Sequence, residues 1–165
     1  MFVFALLLAL FAVTHVLRFA GARRWSSPAD RLGWALGATL LVTGSTHFAA
    51  PEPYLAMMPP SLPWHRALVY LSGVAELVIG VGLCTRAWRG IAALAAIALF
   101  VAILPANVYA AASGVEIPNY PASPVYRWAR LPMQALLIGW AFWVWRRSAV
   151  QEAARALRHA DHVER

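Results

Sequence analysis

The chain has 165 residues, 61% of them hydrophobic and 13% charged, with a mean hydropathy of +0.61 and a formal net charge of +7. That balance excludes an ordinary soluble globular domain and places the chain among integral membrane proteins, with one domain's worth of length. The single cysteine, Cys84, excludes an internal disulfide or a CxxC redox pair and reads as a packing thiol near the cytoplasmic boundary.

Five apolar runs stand out, at roughly 2–20, 32–49, 67–85, 90–112 and 129–145. Each is long enough for a membrane-spanning helix, and none has the short alternating pattern of a barrel strand. The first run carries no basic residue before it and arginines after it, an order that favours a retained span over a signal peptide cleaved at Ala20-Gly21-Ala22. In the second run, Gly33 and Gly37 form a G-x-x-x-G pair suited to close helix contact. Gly37, Leu40, Gly44 and His47 continue that stripe, which turns His47 toward the bundle near its outer surface. A histidine there either bonds a neighbouring backbone carbonyl or touches a ligand.

The third run contains Glu76 near its middle. A carboxylate at the bilayer centre costs about 2.5–3.5 kcal/mol on insertion scales, so such a residue faces a partner or a cavity and marks a candidate site. Gly73 and Gly80 share its face and predict tight packing beside it. A purely structural hydrogen bond across helices is the competing reading.

The fourth run carries Pro105-Ala106-Asn107. Pro105 predicts a kink that frees the Val101 carbonyl, and Asn107 either repairs the break or contacts a ligand. In the fifth run Arg127, Arg130 and Gln134 fall on one helical face. Arg130 is a candidate partner for a carboxylate or an anionic ligand, or else an arginine that snorkels to water. Between the spans, Pro51, Pro53, Pro59, Pro60 and Pro63 predict a stiff apolar loop, and the stripe Val150, Ala153, Ala154, Leu157 predicts a short basic helix on the inner leaflet.

All 14 basic residues are arginines, and all but Arg66, Arg127 and Arg130 fall in the connections and tail on one side. The positive-inside bias then puts the N-terminus outside and the C-terminus in the cytoplasm. Tyr54, Trp64, Tyr109, Tyr126 and Trp128 mark the outer interface, and Trp25, Trp34, Trp88, Trp143 and Trp145 the inner one. The polar residues His47, Glu76, Asn107, Arg130 and Gln134 lie from mid-bilayer outward, which predicts a polar pocket opening outward. The chain has no nucleotide-binding glycine loop, no aromatic-interleaved basic patch for nucleic acid, and no haem, flavin or metal motif; His47, Glu52 and His65 are a weak metal grouping.

Several stretches together resemble the DoxX-like family of small bacterial membrane proteins. They are Gly44-Ser45-Thr46-His47-Phe48, Pro51, Tyr54, Met58-Pro59-Pro60-Ser61-Leu62-Pro63, Ser72-Gly73-Val74-Ala75-Glu76, Gly80-Val81-Gly82-Leu83, Phe100, Pro105-Ala106-Asn107-Val108-Tyr109 and Arg130-Leu131-Pro132-Met133-Gln134. The resemblance implies an all-α polytopic bundle: a four-helix membrane core over 32–147, preceded by an extra spanning helix and arginine-rich connection over 1–31 and followed by a tail helix over 148–165. It also implies the cytoplasmic membrane of a bacterium. The family takes its name from a subunit of a thiosulfate:quinone oxidoreductase, which by analogy suggests an accessory subunit of a redox or respiratory system. The pocket would take a quinone, lipid or small amphipathic molecule, and larger membrane subunits would be the partners. A structural or assembly subunit without ligand, and a small transporter, are the alternatives.

Overall fold

The apolar periodicity is realised as helix. In a computed structural model, which describes residues 2–21 and 27–163, six helices follow one another and no strand occurs among the described residues. They are α1 (Phe2–Phe19), α2 (Pro28–Ala49), α3 (Glu52–Ala56), α4 (His65–Cys84), α5 (Arg89–Ala112) and α6 (Pro124–Val163). Arg23, Arg24, Trp25 and Arg165 lie outside the described residues, and so do the side chains of Arg155, Leu157 and Arg158.

The helix ends follow local chemistry. Ser27 caps α2 by accepting a hydrogen bond from the Ala29 amide at 3.1 Å, with Pro28 next in the chain and Asp30 in the first turn. Such a cap contributes about 1 kcal/mol. The proline-rich second connection is not wholly loop. Pro53 in the first turn of the five-residue α3 has a fixed φ suited to a helix start, and it is buried. The basic tail is not a separate helix: α6 runs unbroken for 40 residues. Its charges at Arg146 and Arg147 change which surface the helix presents, but charge alone does not end a helix.

Packing is densest between α2 and α4 and between α5 and α6; α4 also packs on α5, and α2 on α6. These four helices close into a bundle, and α1 lies against α2. Leu32, Leu36, Leu40, Leu83, Phe100 and Val144 fill the centre, with Leu7 of α1 reaching in. Trp140 on α6 donates its indole N–H to the Leu32 carbonyl of α2 at 3.2 Å. Two helices, α4 and α5, are each long and apolar enough to cross a membrane. α1 is apolar but shorter, while α2 carries the polar residues described below. Many large apolar side chains point outward, among them Leu71, Val74 and Val78 of α4, Ile91 and Val101 of α5, and Leu136, Phe142 and Trp143 of α6.

The α2–α4 seam is built on glycine. A Cβ placed on Gly37 would lie 2.8 Å from the Gly80 carbonyl oxygen, and one on Gly80 would lie 2.9 Å from the Gly37 carbonyl oxygen. Backbone cannot yield as a flexible side chain does, so the helices must part. Gly37→Ala is therefore expected to cost about 1–3 kcal/mol. Gly139 on α6 has nothing within 4 Å of such a Cβ. Gly139→Ala should be neutral or stabilising by up to about 1 kcal/mol through helix propensity. Thermal unfolding of both variants in one detergent checks the contrast.

At the end of the bundle formed by the start of α2 and the α4–α5 turn, Asp30 receives two arginines. Arg89 donates to Asp30 Oδ1 at 2.8 Å and, through its Nε, to the Leu83 carbonyl at 3.0 Å. Arg86 donates to both Asp30 oxygens at 3.0 Å. Asp30 and Arg89 are almost wholly buried, whereas the Arg86 side chain is half exposed.

Candidate functional site

Glu76 sits midway along α4 and is buried. Gly44 and Gly73 let α2 approach closely there; a Cβ on Gly44 would lie 3.0 Å from the Glu76 Cβ and from the Gly73 carbonyl oxygen. This proximity brings two α2 side chains onto the carboxylate. Thr43 Oγ1 donates to Glu76 Oε2 at 2.5 Å, and His47 Nε2 lies 3.4 Å from Glu76 Oε1.

The protonation pattern follows from what each neighbour can do. His47 Nδ1 lies 2.9 Å from the Val69 carbonyl, which can only accept, so Nδ1 carries a proton. Ser72 Oγ donates to that same carbonyl at 2.8 Å and lies 3.2 Å from Nδ1. Thr43 occupies Oε2. His47 Nε2 is buried and faces Glu76 Oε1 across 3.4 Å without a hydrogen-bond partner of its own. The His47 ring stacks on Tyr54 of α3, centroids 3.7 Å apart, and the Tyr54 hydroxyl meets Thr46 Oγ1 at 2.5 Å. Burial pushes the Tyr54 phenol above its ordinary pKa, partly offset by its hydrogen bond with Thr46, so it stays neutral at physiological pH.

A second polar chain joins α5 to α6. Gln134 Nε2 donates to the Phe100 carbonyl at 2.5 Å, Asn107 Nδ2 donates to Gln134 Oε1 at 2.7 Å, and Arg130 donates to Asn107 Oδ1 at 3.1 Å. Arg130 also reaches Met57 Sδ at 2.9 Å. Asn107 thus serves α6 and does not mend its own helix. The carbonyl bonded from α6 belongs to Phe100, one residue before the Val101 carbonyl expected to be freed by Pro105. Gln134→Leu would leave both the Asn107 amide and the Phe100 carbonyl without this partner. The expected loss is about 1–3 kcal/mol of stability, read by thermal unfolding against Leu137→Ala as a core control.

Two cavities meet here. One, of about 160 Å³, is lined by Thr39, Thr43, Phe100, Tyr120, Tyr126, Gln134 and Val3 of α1, among others. The other, of about 630 Å³, lies between α4 and α5 beneath α3, with His47, Ser72, Met58, Leu68, Leu99 and Pro105 in its wall. Glu76, Tyr54, Ile103, Asn107 and Arg130 line both.

The family described as a domain of unknown function, DUF8561, matches residues 36–145. The chain belongs to this family. No curated protein and no solved structure matches the chain. The DUF8561 region runs from α2 into α6 and holds every residue of both polar chains, while α1 and Asp30 fall before it.

All five residues singled out in the sequence, His47, Glu76, Asn107, Arg130 and Gln134, therefore lie in or beside the same pair of cavities. Arg127 departs from them and donates to the Gly114 carbonyl at 2.6 Å. His65 meets the Pro59 carbonyl at 2.9 Å and Glu52 is exposed; no grouping fit to hold a metal ion occurs among the described residues. Thr43, Tyr54 and Met57 are additions that sequence reasoning passed over. The one available signal was Thr43's place on the same helical face as His47, four residues on.

Proposed function

We propose that this DUF8561 protein crosses the cytoplasmic membrane of a bacterium five times, N-terminus outside and C-terminus inside. In this reading it is a DoxX-like accessory subunit of a redox or respiratory system. Its outer-half cavities take up a quinone, lipid or other small amphipathic molecule. The arginine distribution supports the topology, and the outward apolar side chains of α4, α5 and α6 support contact with lipid. The observation that carries the ligand reading is the meeting of two cavities at a buried carboxylate, with the unpartnered Nε2 of His47 3.4 Å from it. A largely apolar cleft with a few convergent polar groups is the usual form of a small-molecule site. Glu76 would accept or hold the proton, His47 and Asn107 would meet the ligand's polar end, and Arg130 and Gln134 would form the rim.

One observation favours a second reading, that of a scaffold subunit. Thr43 and His47 already satisfy Glu76, so the carboxylate can act as a lock between α2 and α4 with no ligand. Native mass spectrometry of the protein extracted gently from its own membrane separates the two. A stoichiometric quinone or lipid is the expected result. An empty protein held to a larger subunit would sink the ligand reading and leave the scaffold.

A further inference from the structure

The cavities' charge balance says what kind of head group they suit. Resting on the ligand reading above, we propose that the bound molecule carries an anionic oxygen head, a carboxylate or phosphate on a hydrocarbon chain, and that Arg130 receives it.

The argument starts from a contrast between two arginines of the same bundle. Arg89 is buried, and its charge is met by Asp30 at 2.8 Å. Arg130 is half-buried in the walls of both cavities, yet no carboxylate lies within ion-pair distance of it among the described residues. Its acceptors are the neutral Asn107 Oδ1 and Met57 Sδ, and the phenols of Tyr54, Tyr120 and Tyr126 line the same cavity. A guanidinium keeps its charge and has five donors in a planar fork, so several remain for an incoming group. Partly removed from water, a cation without an opposite charge is costly, and a ligand oxyanion would supply what Asp30 supplies to Arg89. Carboxylates and phosphates fit the fork with two parallel bonds.

Glu76 does not fill this role: its oxygens face Thr43 and His47 on the α2 side, and it makes no ion pair with Arg130. Tyr54 lines both cavities together with Glu76 and Arg130. The ligand's tail has its own place. The 630 Å³ cavity presents Leu68, Leu71, Leu99, Ala102 and Ile103, and Leu71 is largely exposed on the outside of α4. A chain lying there would extend toward the lipid-facing side while its head stays at Arg130. A neutral quinone head would fit the cavity's shape but leave the arginine's charge unmet.

The test measures binding to the full chain in an uncharged detergent, using a long-chain fatty acid, its methyl ester, a monoalkyl phosphate of the same length and a neutral quinone. The acid or the alkyl phosphate should bind at least tenfold more tightly than the ester, and whichever is tighter names the oxyanion. Arg130→Gln should bring the anion down to the ester's level, and Arg130→Lys, which keeps the charge without the fork, should fall between. The comparison of acid with ester needs only the native protein, so it stands even where a variant folds poorly. Binding of both the acid and the alkyl phosphate no tighter than the ester, or binding of the quinone alone, would overturn the anionic head and leave the cavity as a site for neutral molecules. Binding of none of the four would overturn the cavity reading itself.

Discussion

Asp30→Asn should be the most damaging single substitution away from the helix seam, lowering stability by about 3–5 kcal/mol. Asparagine keeps the shape and still offers one oxygen, so the loss reports charge. Arg89, its side chain only 3% exposed, would be left as a buried cation with no counter-charge. Arg86 cannot compensate, and being half exposed it is itself worth little to stability, about 0–1 kcal/mol. Arg86→Gln is the matched control. Replacing both members of the buried pair, Asp30→Leu with Arg89→Met, should recover most of the loss, because an apolar pair avoids the desolvation penalty. Unfolding free energies in mixed micelles would decide it: a change below about 1 kcal/mol for Asp30→Asn means that water reaches the cluster and the charges are screened.

Glu76→Gln should do the reverse, sparing the fold and removing the function. The glutamine oxygen can accept from Thr43 as Oε2 does, and its amide can donate to His47 Nε2, whose Nδ1 is committed to Val69. Stability should change by less than about 1 kcal/mol, since both contacts are remade as neutral hydrogen bonds. What disappears is a carboxyl group able to take up and release a proton. Ligand retention in native mass spectra should fall at least tenfold, about 1.4 kcal/mol in binding free energy. Glu76→Leu separates packing from polarity: it should destabilise as well, removing the acceptor of Thr43, which falls back on the Thr39 carbonyl at 3.2 Å. Full retention of a co-purified ligand by Glu76→Gln would favour the scaffold reading.

Much of the candidate site was legible because long apolar runs make polar residues conspicuous. Glu76, Asn107 and Gln134 stand out against apolar runs, and the glycines beside Glu76 announce close packing. Thr43 did not stand out, since a helical threonine normally bonds its own helix, as Thr39 does to the Ala35 carbonyl at 2.8 Å. Asp30 was hidden differently. It follows Pro28 among connection charges and reads as solvated, whereas its partner Arg89 lies 59 residues away and is delivered only by the α4–α5 turn. That end of the bundle consequently looked barer of polar groups than it is. Arg130 was singled out as a partner for a carboxylate or an anionic ligand, or else as an arginine that snorkels to water; the two acceptors it reaches within the chain are neutral, a distinction that depends on which side chains the folded helices bring within reach.

The unbroken α6 has a mechanical meaning. One end carries Arg130 and Gln134; farther along, Gln151 touches Ser27, the cap of α2 and a near neighbour of Asp30 in sequence. From Pro132 to Gln151 is about 28 Å of helix at 1.5 Å per residue. Pro132 is the one interior position of that stretch where the hydrogen-bond ladder lacks a donor, and so the natural place to bend. A bend of about 5° there, such as a head group pulling on Arg130 would favour, swings Gln151 by about 2.5 Å through lever geometry alone. That displacement is enough to break the contact, so α6 can act as a signal rod, with occupancy at one end of the bundle read as a loosened latch at the other.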